Sequence, residues 1–120
     1  MTDARKLKVS APVRESGDVG NSAGCTLIGP KGKAEISEGI IVAKRHLHIP
    51  ESLEEGLELT NGEIVKVEIN TAQRSLIFDD VVARIHPNFA LALHIDTDEG
   101  NAAGAVVKYF VELSKIKFLD

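Results

Sequence analysis

The chemistry-bearing feature of this sequence is the tetrapeptide Arg45-His46-Leu47-His48. It lies in a run rich in β-branched residues, 39–49, that reads as a strand. Side chains alternate faces along a strand, so His46 and His48 project from one face, about 6.5–7 Å apart along the chain. Two imidazoles at that separation can converge on one metal ion or serve two neighbouring ones, and neutral imidazole is a common zinc ligand. Two surface histidines on a polar strand face would give the same pattern. A third histidine, His94, closes a run in which Phe89, Leu91, Leu93 and Ile95 share one face. His94 shares the other face with Ala90 and Ala92 and so turns from the apolar side. It can complete a three-histidine site with a position left for water or substrate, or it can be a plain surface or capping group.

Other groups carry weaker signals. Arg14, in Pro12-Val13-Arg14-Glu15-Ser16-Gly17-Asp18, and Arg45 can each hold an oxyanion, because guanidinium matches phosphate geometry. Each can equally form a salt bridge, Arg14 with Glu15 or Asp18. Asp96 reads first as a helix cap and second as a group orienting an imidazole. Cys25 reads as a buried structural thiol, His86 as a loop residue without a role, and Lys31 as a solvated turn residue. The Gly-Pro-Lys-Gly phrase around Lys31 lacks the spacing and the following Ser or Thr of a phosphate-binding P-loop.

The elements that must position these groups are mostly strands. Cys25-Thr26-Leu27-Ile28 is a short strand candidate, followed by a tight turn at Gly29-Pro30-Lys31-Gly32. Pro50 ends the histidine strand and can open a short helix near residues 52–55. Asn61-Gly62 is a turn, after which Val65, Val67 and Ile69 alternate with Lys66 and Glu68 as in a half-buried strand. Residues 75–78 and 81–85 read as two more short strands. Asp96 and Glu99 have capping-box spacing for a helix through Ala102-Ala103. The tail, 106–119, fits strand or helix, and the first eight residues and the last few look unstructured. Many short strands with few helices predict a mainly β fold, a small antiparallel β-barrel with short helices.

Composition bounds the function classes. The chain has 120 residues, 43% hydrophobic and 27% charged, enough for one compact domain with a core. Its formal net charge of −4 and the lack of a basic stripe speak against nucleic acid as a partner. A single cysteine forms no internal disulfide. No apolar run approaches the roughly 20 residues of a membrane helix, and the polar start has no signal-peptide core. The expected location is the cytoplasm.

Taken together, these segments resemble the propanediol-utilisation type of phosphate acyltransferase. The matching phrases are Thr2-Asp3-Ala4, Ala11-Pro12-Val13-Arg14-Glu15-Ser16-Gly17-Asp18 and Thr26-Leu27-Ile28-Gly29-Pro30-Lys31-Gly32. They continue with Glu38-Gly39-Ile40-Ile41-Val42-Ala43-Lys44-Arg45-His46-Leu47-His48 and Leu93-His94-Ile95-Asp96-Thr97-Asp98-Glu99-Gly100-Asn101-Ala102. The order and spacing fit from residue 2 to about residue 104. The resemblance implies transfer of a propanoyl or acetyl group between coenzyme A and phosphate. It also implies two β-barrels with a metal site, usually Zn2+, between them, and makes His46, His48 and His94 the metal ligands. Direct attack of phosphate on the thioester is the implied mechanism, with the metal positioning phosphate or polarising the carbonyl and an arginine holding phosphate. Arg14 and Arg45 are the candidates for contact with phosphate or coenzyme A.

By the same resemblance, residues 1–38 are a remnant of the family's central barrel region and 39–120 form the C-terminal barrel. The family pattern places a further His-x-His pair, an arginine and a Gln-Val-Glu glutamate ahead of Thr-Asp-Ala, outside this sequence. The expectation is therefore a truncated half that is inactive alone, acts as a homo-oligomer, or needs the other half. A bacterial microcompartment becomes a second candidate location. The competing reading is a non-catalytic zinc-binding barrel or interaction module.

Overall fold

The computed structural model describes residues 1–105 and the backbone of 116–119. The chain divides into two compact units, Met1–Lys44 and Arg45–Asp120.

In the first unit, α1 (Thr2–Lys6) occupies part of the stretch expected to be unstructured. Its one-turn length is supported by Asp3 in the first turn and Arg5 and Lys6 in the last, each complementing the helix dipole. Strand β1 (Val13–Arg14) pairs in parallel with β4 (Val42–Ala43). Between them, β2 (Ala23–Gly29) and β3 (Gly32–Ile40) form an antiparallel hairpin around the expected Gly29–Gly32 turn. The register shifts between Ala23 and Cys25. Gly24 sits at this irregularity, where a Cβ would run into the carbonyl oxygens of Ile36 and Ser37. The base of the hairpin is pinned by the Asn21 amide donating to the Glu38 carboxylate (2.7 Å) and the Gly39 amide donating to Ser22 Oγ (2.8 Å).

The second unit carries the core. Five strands lie in the order β8-β5-β7-β6-β9. They are β5 (His46–Pro50), β6 (Ile64–Ile69), β7 (Leu76–His86), β8 (Ala92–His94) and β9 (Ile116–Leu119). A 3-10 turn (Glu51–Leu53) and α2 (Glu54–Leu57) follow β5, at the expected place after Pro50. Leu47, Ile49, Val67 and Val81 are fully buried on one side of this sheet. Leu93 and Ile95 pack against the same core. So does α3 (Thr97–Ala103), through the fully buried Ala103.

The fold is mainly β with short helices, but the sheet is not antiparallel as expected. It is mixed, because β5 and β7 run in parallel. The chain leaves β5, crosses by the short helices into β6, and reverses once more into β7, which therefore points the way β5 does. Apolar alternation reports which face a strand buries and carries nothing of its direction. Among the described residues the sheet runs open from β8 to β9, with no pairing that closes it.

A second correction concerns β7. The two strands expected at 75–78 and 81–85 are one strand with a bulge, where Val67 pairs with Phe78 and Val65 with Val81. Asp80 takes the left-handed conformation (φ 56°) and its amide donates to the Asp79 carboxylate at 2.8 Å. An Asp pair supplies both needs of a bulge, a tolerated positive φ and a local acceptor. Of the ambiguous tail, 116–119 form β9 against β6, and 106–115 lie outside the described residues.

The capping box at Asp96 is present as read: the Glu99 amide donates to Asp96 and the Asp96 amide to Glu99, both at 2.8 Å. At the other end Gly104 (φ 62°) ends α3, while Thr71 Oγ1 and Arg74 Nε donate to the Ala103 and Ala102 carbonyls, both at 3.0 Å. Removing the cap with Asp96→Ala should cost about 1 kcal/mol. Leu47→Ala, which empties a site that is 0% exposed, should cost about 2–5 kcal/mol. Urea unfolding of the two variants against the parent checks both magnitudes and their order.

Candidate metal centre

Strand β5 presents His46 and His48 on one face because Leu47 and Ile49 are buried on the other. Strand β8 runs antiparallel beside it, with His46 opposite His94, Leu47 opposite Leu93 and His48 opposite Ala92. Leu93 packs on the core, so His94 shares the face of His46 and His48. The three rings cluster. The rings of His46 and His94 are stacked, with centroids 4.7 Å apart and planes 11° from parallel. His48 lies 5.1 Å from His46 and 4.2 Å from His94. One nitrogen from each residue falls within 4.8 Å of the others. His46 is buried, His48 half-buried and His94 exposed, so the cluster opens to solvent along β8.

The donor set suits a divalent metal. His48 Nε2 is buried and has no hydrogen-bond partner. A buried polar atom left in that state costs free energy, which a bound cation would recover. Burial lowers the His48 pKa from 6.5 to about 4, helped by the neighbouring His94, His46 and Arg84. Burial also lowers the His94 pKa, with His46 and Arg84 adding to it. Both rings are therefore neutral at pH 7, the state in which imidazole ligates.

The two sequence-nominated arginines are held elsewhere. Arg14 lies in the first unit, where Nη1 is 3.3 Å from Asp18 and 3.4 Å from the Gly20 carbonyl. This is one of the ion pairs the sequence offered. Arg45 Nε is 3.6 Å from Glu99, and its guanidinium lies 5.5 Å over the Phe78 ring, which belongs to the core. Cys25 is half-buried rather than buried. His86 is exposed and its Nδ1 accepts from the Asn88 amide at 3.1 Å.

Two neighbours of the histidines were not nominated by the sequence. Phe89 was expected on the apolar side of an alternating strand. A turn at residues 87–88 delays β8 until Ala92, and the Phe89 ring instead stacks on His48 at 3.8 Å. Arg84 is the cross-strand partner of His48 in the parallel β5–β7 register. Neither is legible without the pairing of β5, β7 and β8.

The lowered pKa values fix the sign of a pH effect on the metal-free chain. The fold favours neutral His48, so its contribution is complete above the ordinary value of 6.5. It is lost as pH falls from 6.5 towards about 4, because the unfolded chain binds the proton first. Metal-free chain should lose stability across this window, and His48→Gln should flatten the loss. Thermal melts at a series of pH values, run in chelator, check it.

The family model described as phosphate propanoyltransferase matches residues 1–106. The chain is 50% identical over 103 residues to a phosphate propanoyltransferase of Listeria monocytogenes, covering 86% of this chain and 48% of that protein. It is 46% identical to the phosphate propanoyltransferase of Thermotoga maritima, covering 85% and 49% respectively. With that of Escherichia fergusonii it shares 46% identity over 87% of this chain and 50% of the relative. The chain thus spans about half the length of the curated relatives it matches. On this match, and with the histidine phrases inside the matched region, the chain belongs to the phosphate propanoyltransferase family.

Proposed function

We propose that this chain is the metal-carrying half of a phosphate acyltransferase that moves a propanoyl or acetyl group between coenzyme A and phosphate. The observation that carries the reading is the convergence of His46, His48 and His94, with the orphaned Nε2 of His48 among them, in a member of this family. These three side chains would hold Zn2+, which when bound would supply a Lewis acid beside the reacting groups. In the reaction a phosphate oxygen bonds to the acyl carbon, the carbon–sulfur bond breaks, and its electron pair leaves with the coenzyme A sulfur. No serine or cysteine nucleophile is required. Half-buried Cys25 lies on β2, in the unit without the histidines. The chain's own contribution is orientation. Leu47, Ile49 and Leu93 lock the strands that aim the imidazoles, and the stacked Phe89 restrains the His48 ring.

In this reading a further segment completes the protein. No residue of 1–44 is buried, and Met1, Leu7, Val13, Val19, Leu27 and Ile28 are exposed, Ile28 to 83%. A two-stranded hairpin without a core is marginal by itself. The curated relatives are about twice as long as the matched region. We propose that a partner segment covers the β2–β3 hairpin and closes the strands into the barrels that the family resemblance implies. The family resemblance also supports the cytoplasm, or a microcompartment within it, as the place of action. No helix among the described residues is long and apolar enough to cross a membrane.

The purified chain should bind about one Zn2+ with its three histidines. His46→Ala, His48→Ala or His94→Ala should each lower the affinity by more than the roughly 10- to 100-fold that loss of a group behind a ligand costs. Thiol release from propanoyl-CoA plus phosphate should rise when the first half of a family-length relative is added. Metal titration and the thiol assay check the two parts separately, and failure of any of the three variants to weaken Zn2+ binding would remove the three-histidine site.

A further inference from the structure

The histidine face carries a cation that the function proposed above does not use. In the parallel register His46 pairs with Val82, His48 with Arg84 and Pro50 with His86. Leu47 and Ile49, the alternate residues, oppose Ala83 and Ile85 on the core side. Arg84 is therefore the immediate cross-strand neighbour of His48, on the face that His46 and His94 share. The guanidinium lies 6.0 Å over the Phe89 ring, and the same ring stacks on His48. One aromatic side chain thus restrains an imidazole and the arginine together.

The charge balance of this face is unusual for a plain structural metal site. Three neutral imidazoles cancel none of the charge of a divalent cation that they hold. Of the acidic side chains that follow β8, Asp96 caps α3, and Glu99 closes that capping box and pairs with Arg45. Adding Arg84 brings a further positive charge toward the same point. Two cations on one face repel unless an anion lies between them. A planar guanidinium beside a metal is matched to a tetrahedral oxyanion, taking two oxygens through parallel N–H groups.

We infer that Arg84, held by Phe89 beside His48, is a binding residue for the oxyanion substrate. It would anchor inorganic phosphate from the β7 side of the three histidines. The inference rests on the metal-site reading and names an arginine that sequence inspection passed over in favour of Arg14 and Arg45. Both of those guanidiniums already face carboxylates, Asp18 and Glu99. Arg84 would make no bond to the metal, so its removal should separate anion affinity from metal affinity.

The test uses the full chain loaded with Co2+, whose visible absorption reports binding near the metal, titrated with inorganic phosphate. Arg84→Met should weaken phosphate binding by about 10- to 100-fold, the loss of charge-assisted hydrogen bonds. Co2+ affinity should stay within about twofold of the parent. Arg84→Lys should recover part of the loss, since a point charge remains without the fork. It also keeps the test decisive if Arg84→Met folds poorly by circular dichroism. Phe89→Leu should give a smaller loss in the same direction. Co2+ bound normally with phosphate affinity unchanged in Arg84→Met, or with no phosphate bound by the parent, overturns the inference alone. Failure of the parent chain to bind Co2+ at all overturns the metal reading and this inference with it.

Discussion

Everything at the site depends on one strand being locked on both sides. β5 is five residues long, yet it pairs in parallel with β7 and antiparallel with β8. Its register is fixed by Leu47 and Ile49, which are fully buried. A slip of one residue would drive two imidazoles into an apolar core and lift two aliphatic side chains into the polar face. That cost is what holds the histidines in alignment. The shared direction of His46 and His48 thus follows from the packing of Leu47 and Ile49 into the core.

The two units obtain their order differently. The second has a core of aliphatic side chains, and its helix α3 is tied at both ends, by the Asp96–Glu99 box and by Thr71 and Arg74 at its last carbonyls. The first relies on backbone pairing and a few polar clasps such as Asn21 to Glu38. Net hydrogen-bond stabilisation in water is modest, so such a unit gains little from its clasps without apolar burial. Placing the apolar core in the unit that bears the three histidines fits the demands of a site whose side chains must hold close geometry.

Much of this was legible in the residues themselves. His46, His48 and His94 stand together, the Gly29–Gly32 turn and the Asp96 capping box are where the sequence puts them, and the strand over 64–69 has the alternation read from Val65, Val67 and Ile69. These are local signals, set by spacing of a few residues. What failed was non-local. Parallel pairing of β5 and β7 leaves no trace in alternation, and so neither the mixed sheet nor the adjacency of Arg84 to His48 could be read. Phe89 was misplaced because an apolar residue at the right parity looks like part of the strand even when a turn has already ended the alternation. Arg14 and Arg45 drew notice for lying in recognisable phrases, whereas Arg84 sits in an ordinary strand sequence.

The bulge in β7 has a further meaning. Phe78 and Val81 both face the core although they are three positions apart, a spacing that would put them on opposite faces of a regular strand. Asp80 is in effect a frameshift in the alternation of faces: upstream of it even-numbered positions point inward, and downstream the odd ones do. Arg84 reaches the histidine side only because it is read in the second frame. A chain that gained or lost a single residue here would therefore exchange the two faces of half a strand, so the number of residues in this bend decides which side of the sheet Arg84 occupies.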